Sequence, residues 1–497
     1  MGKVPLRGEL TVALAGMLVL LSLPEAEPSV PDAPEQGGGF ARNEDSLWQA
    51  LETTYVRARG TACGGSGALT TRRTAALGAT TDALVSRVVG PGDPGLDSLE
   101  SRFFALAPYV ASCPSLVGDY VRLYSRLRDA IKRQSRRWDL TTRQARERLY
   151  RSLYGGRAAV EEVMLQHPDR IVTLVLGAHE PSATPAVQVH GVTIHSGDML
   201  VSRGGYPTSA LIARGNDYPG NFSHVGLVHV DAASGAASVI QAHIEKGVAV
   251  ATADEYLRDK KLRIMVLRLR HDLPQLSMDP MLPHRAASLA LQRARAGHIP
   301  YDFEMNYDDP AKQFCSEVAS SVHRELGVEL WMGISTISQA GLRRWLASFG
   351  VRHFKTQEPS DLEYDPQLVV VAEWRDAEWL LKDHVDNATV DALLEQAEAG
   401  MVLSYPWYAL PVARVSKAYS WMLERVGRRG PIPEGMAPAA ALRNRSFAIH
   451  QRRVAGHVSE QAARLTREQG YPPPYWVLVA LARGLTESPP GSHRLIQ

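Results

Sequence analysis

Seven residues, DAASGAA, separate two stretches that read as β-strands, HVGLVHV (His224–Val230) and SVIQAHI (Ser238–Ile244), and this spacing limits what the chain can fold into. So short a link cannot carry the crossover that parallel neighbours need, and its small residues suit an antiparallel hairpin. A third stretch, RIMVLRLR (Arg263–Arg270), follows after a longer link compatible with a meander. Two further candidates precede the hairpin: IVTLVL (Ile171–Leu176), and Met199–Ser202 after a turn at Gly197 and Asp198.

Helical patterns flank this strand-rich stretch. Asp45–Arg59 (DSLWQALETTYVRAR), Gly118–Trp138 and Thr142–Gln166 carry apolar residues at three- and four-residue spacing, with Arg-rich opposite faces that read as solvated. GPGDPG (Gly90–Gly95) punctuates them. Helical sequence returns at Pro283–Ala296, again around Cys315, and from Glu358 towards Leu485, where prolines interrupt it. The expected organisation is an N-terminal signal or anchor (1–28), a linker (29–44), a helical N-terminal region (45–170), a sheet-bearing catalytic domain (171–357) and a mainly helical C-terminal extension (358–497). The fold class is α+β: a small antiparallel sheet packed on helices, with helical extensions at both ends.

Lys3 and Arg7 precede an apolar run, Leu10–Leu23, which gives way to a segment rich in Pro, Glu and Gly. That order fits a secretory signal, and the run is short for a membrane span. The chain is expected to be exported to the periplasm or cell envelope; an uncleaved signal would give membrane association through this N-terminal segment. Lys plus Arg number 55 against 53 Asp plus Glu, so no broad polyanion-binding surface is implied and nucleic acid is not an expected partner. Export also shapes the reading of the three cysteines. Cys63 and Cys113 can close a disulfide in an oxidising compartment, which leaves Cys315 as the odd thiol.

Side chains alternate along a strand, so His224 and Gly226 share one face of the first strand, and Gln241 and His243 share one face of the second. Gly226 leaves room beside His224 for a close approach. A thiol hydrolase needs a base beside its cysteine and a polar group to orient that base. His224 is the candidate base, with Gln241 or His243 as its orienting partner. Cys315 borders a stripe of Phe314, Val318, Val322 and Leu326 on a helix that starts either at Pro310 or near Phe314; the later start would set the thiol at the positive end of the helix. A metal site built from His224, His229 and His243 is disfavoured because His224 and His229 point to opposite faces. No cofactor is expected.

Five motifs in order, GDMLVSRGG (Gly197–Gly205), FSHVGLV (Phe222–Val228), VIQAH (Val239–His243), IPYDF (Ile299–Phe303) and FCSEV (Phe314–Val318), lie between Val192 and Leu330. In these the chain resembles the permuted NlpC/P60 cysteine hydrolases of the papain-like superfamily, in the YiiX/YebB-like branch. The resemblance implies Cys315 as nucleophile, His224 as general base and Gln241 as third residue, where the family often carries glutamate. Ser223, His243, Tyr301 and Asp302 are the candidates for shaping the substrate pocket. The implied activity is amide hydrolysis through an acyl-enzyme, with a peptide or acyl substrate, cell-wall peptides first. An acyltransferase or esterase on lipid substrates, and a non-catalytic binding or scaffold protein that keeps the fold, are the alternatives.

Overall fold

The computed structural model describes residues 21–25, 30, 46–59, 63–376 and 378–486. Most of the N-terminal apolar run lies outside the described residues, and so does the Cys63 side chain, and with it the expected Cys63–Cys113 pairing. Cys113 is buried.

Seven strands form one sheet, antiparallel throughout. In chain order they are β1 (Leu174–Leu176), β2 (Met199–Gly204), β3 (His224–Val230), β4 (Ala237–His243), β5 (Gly247–Thr252), β6 (Lys261–Leu269) and β7 (Leu368–Arg375). In space the order is β1-β7-β6-β2-β3-β4-β5. The β3–β4 hairpin forms as the short link requires, with Leu227 opposite Ile240 and Val228 opposite Val239. The meander expected beyond it does not. A strand of small residues, β5, takes the edge position, and β6 returns across the sheet to pair with β2.

The domain boundary expected at 357/358 also moves. QLVVVAEW, assigned to the helical extension, supplies β7, which pairs with β6 on one side and β1 on the other. Its near-continuous apolar run is that of a strand covered on both faces.

Helices cover the sheet. The N-terminal region contains the expected segments plus Cys63–Val85 and Pro94–Ala111, the latter capped by Asp93, whose carboxylate accepts from the Gly95 N–H at 2.7 Å. A π-helical turn at Arg151–Gly155 divides the segment expected at Thr142–Gln166. On the other side of the sequence, helix Trp379–Glu398 packs against Pro438–Gln469 and Tyr475–Thr486.

The Arg-rich faces of the N-terminal helices are not all solvated. Arg128 and Arg157 are buried and pair with Glu373 on β7, and Arg157 also reaches Glu363. Glu161 meets Arg263 on β6, Arg375 on β7 and His384 on the Trp379–Glu398 helix. Burial works against a charge on His384, yet its hydrogen bond to Glu161 and the nearby Glu162 carboxylate prevail and hold it up at about 9. This ionic layer ties both helical extensions to the sheet.

Candidate active site

β3 begins at His224, and the chain just before it is held by a clamp. Ser360 Oγ accepts from the Phe222 N–H and donates to the Phe222 carbonyl, both at 3.0 Å. Gly220 permits this approach, since a Cβ there would lie 2.1 Å from Ser360 Oγ. His224 is thereby presented at the end of β3 facing a cavity of about 140 Å³, whose walls include Ser223, His243, Lys261, Tyr301 and Cys315.

Of the two candidate partners, Gln241 is the one hydrogen-bonded to His224. Its Oε1 accepts from His224 Nε2 at 2.7 Å, and an amide oxygen can only accept, so the proton sits on Nε2 and Nδ1 keeps its lone pair. His243 shares the face but meets His224 ring to ring, with centroids 5.5 Å apart. The space beside Gly226 is filled by two side chains. A Cβ there would meet Val239 Cγ1 at 2.6 Å and Tyr256 at 3.3 Å, so these two are the groups that approach closely. The Tyr256 hydroxyl donates to Ser202 Oγ at 2.9 Å, and its ring stacks 6.5 Å from that of His224.

Of the two helix starts, the later one is observed. The helix is Glu317–Glu325 with Ser316 at its N-cap, so Cys315 stands just ahead of the first turn. The Glu317 carboxyl turns back to accept from the Phe314 N–H at 2.9 Å, fixing that turn. Val318 and Val322 pack with Val225 and Leu227 on one face of the sheet. Cys315 is the free cysteine among the described residues and is buried.

Burial dominates the electrostatics of the pair. It pushes the Cys315 thiol up to about 12, against the pull of hydrogen bonds from the Val225 and Ser316 backbone, and the nearby Glu358 carboxyl adds to the rise. His224 goes the other way, down to about 3, through burial, then Lys261 and His243. The resting pair is therefore thiol and neutral imidazole. Alkylation of Cys315 by iodoacetamide is accordingly expected to be slow near about pH 7 and to climb without a plateau up to about pH 10, as the thiolate fraction grows. A plateau in rate between about pH 5 and pH 8 would reveal a preformed thiolate–imidazolium pair and refute this charge state.

The remaining candidates separate. Ser223 and Tyr301 line the cavity with His243. Asp302 does not; it is buried and accepts from the Glu304 and Asn306 N–H groups at 2.9 and 2.6 Å, so it folds the loop that carries Tyr301. His229 faces His284 instead of the cavity, at 5.2 Å between ring centroids, which dismantles the three-histidine set. Among the described residues, no group of three or more His, Cys, Asp or Glu could hold a metal ion.

Periodicity gave no hint of Lys261, Asp259 or Glu358. Lys261 lines the cavity, lies over the Tyr256 ring at 4.6 Å and pairs with Asp259 at 2.8 Å. Glu358 is buried with one carboxyl oxygen unpartnered, and burial and then Asp361 hold it far above the usual carboxylate range.

No curated protein matches the chain. The crystal structure of the metalloprotein YiiX from Escherichia coli O157:H7 aligns at 19% identity and a TM-score of 0.27, over 36% of this chain and 97% of that one. Residues 193–372 match the family described as permuted papain-like amidase enzymes, YaeF/YiiX, C92. That stretch, a little over a third of the chain, holds His224, Gln241, Cys315 and all but the last residues of the sheet's inner strands, and over it the chain is similar to that family.

Proposed function

We propose that this protein is a cysteine hydrolase that cleaves an amide bond through an acyl-enzyme, with Cys315 as nucleophile, His224 as general base and Gln241 as the residue that orients it. The observation that carries this reading is the cavity that Cys315 and His224 both line, with His224 Nε2 held by Gln241 and Nδ1 left to take a proton. Sγ attacks the carbonyl as its proton passes to Nδ1. His224 then returns that proton to the leaving amine, and water attacks the acyl-enzyme with the same imidazole as base. The backbone N–H groups of Val225 and Ser316, which lie beside Sγ, are the nearest donors for the developing oxyanion. Gln241 fixes the tautomer but brings no negative charge to imidazolium, so the step relies on orientation.

The substrate first in line is an amide of cell-wall peptides, a reading that goes with the export expected from the N-terminal segment; acyl transfer to an amine or alcohol would use the same intermediate. The test is incubation of the purified protein with a panel of cell-wall peptides, simple peptide amides and activated acyl esters, following amine release and the intact mass. Release of amine from a peptide, with an acyl adduct on Cys315 in the presence of the esters, is the expected result. Absence of turnover and of adduct across the panel would favour a binding protein that keeps the fold.

A further inference from the structure

Helix Leu410–Glu424 and the turn Trp407–Ala409 ahead of it present an apolar face to solvent. Tyr408, Val412, Val415, Tyr419 and Met422 follow one another at spacings of four, three, four and three, which sets them in one stripe, and each is more than half exposed, from 54% to 68%. Val426 continues the stripe just past the helix, and Trp407 stands at its start. The opposite side of the helix is already satisfied: Leu410, Ala413 and Ser420 are buried, and Ala413 packs with Ile432, Met436 and Ala440. Contiguous exposed apolar surface of this kind marks an interaction site.

Charge identifies the occupant. Between Trp407 and Gly430 the chain carries Arg414, Lys417, Arg425, Arg428 and Arg429 against Glu424 alone. Arg425, Arg428 and Arg429 are exposed, with the Arg425 guanidinium 3.8 Å over the Trp421 ring. A two-fold contact with a second copy would set this basic rim against itself, whereas an anionic surface would neutralise it. Trp and Tyr beside an aliphatic stripe, edged by Arg and Lys, is the composition of a helix that lies in a lipid interface.

A second feature points the same way. Arg414 donates to the Leu23 carbonyl at 2.7 Å, and the Ala439 N–H donates to Glu25, so the end of the N-terminal apolar run is fixed at this helix. The opposite, buried face of this helix lies near the candidate cavity, because Ile244, which lines it, packs on the same cluster as Ala413.

We propose that the Leu410–Glu424 helix docks the protein on an anionic phospholipid surface, with the Tyr408–Met422 stripe at the acyl boundary and the Arg425–Arg429 rim on the headgroups. This docking is independent of which amide is cleaved. The test uses the full chain carrying Val415→Cys, labelled with an environment-sensitive fluorophore. Mixing with phosphatidylglycerol–phosphatidylcholine vesicles should blue-shift the emission, less so with phosphatidylcholine alone or at high salt. Tyr408→Ser, Tyr419→Ser and Met422→Ser together should weaken vesicle binding by roughly tenfold or more, and Arg425→Glu, Arg428→Glu and Arg429→Glu together should abolish the preference for phosphatidylglycerol. Vesicle binding without a spectral shift would assign attachment to the N-terminal run and overturn the proposal. So would emission already shifted without vesicles, or shifting only with protein concentration, which would identify the chain's own segment or a second copy as the occupant.

Discussion

Cys315→Ala is expected to abolish amide hydrolysis, a fall on the order of a thousandfold or more in kcat, while leaving the fold in place. The expected loss is large because in the proposed reaction the sulfur forms the acyl bond, and among the described residues no other thiol lines the cavity. Folding should survive because the substitution removes one small buried atom beside Phe314 and Val318, whose packing it barely alters. The cost in stability is then about 1 kcal/mol, seen as a modest drop in Tm. Measured side by side on whichever peptide amide the native protein turns over, equal rates for the two proteins would eliminate Cys315 as nucleophile. A variant that no longer folds would call for Cys315→Ser, which keeps the volume and replaces the thiol with a hydroxyl far weaker as a nucleophile.

Arg157→Ala should cost about 3–5 kcal/mol of unfolding free energy, far more than any surface pair. The guanidinium is wholly buried, bridges Glu363 and Glu373, and lies 5.3 Å over the ring of Phe222, two residues before His224. Its removal leaves Glu363 without that cation and Glu373 with less compensation in a site with no access to water. Urea denaturation followed by circular dichroism gives the number. The exposed pair Arg122–Asp119 provides the contrast, since Arg122→Ala should change stability by no more than about 0.5 kcal/mol. A change below about 1 kcal/mol for Arg157→Ala would mean that the layer is hydrated and does not hold the helices to the sheet.

Much of the site was legible because its parts are local. The alternation of a strand places His224 and Gln241 on facing sides of one hairpin, and apolar spacing places Cys315 next to a buried stripe; both follow from periods of two and of about 3.6 residues that need no tertiary contact. What local periodicity could not choose was register. Continued past the Leu227–Ile240 pair, the observed register sets His243 opposite His224 and Gln241 on the diagonal, and it is the diagonal amide oxygen that reaches His224 Nε2, at 2.7 Å.

Long-range contact decided the rest. QLVVVAEW reads as any buried apolar segment until β6, about a hundred residues earlier in sequence, offers it a ladder of backbone hydrogen bonds. The arginines of the N-terminal helices have the spacing of a solvated face, and only carboxylates brought from β7, more than two hundred residues away, make their burial tolerable. The charge state of the catalytic pair belongs to the same class. The sequence by itself determined the candidate thiol and base and the strand beside them, through residue type, local period and the resemblance its five motifs carry. The tertiary structure decided that thiol and imidazole rest uncharged, because desolvation depends on everything packed around them and on nothing in their own segments.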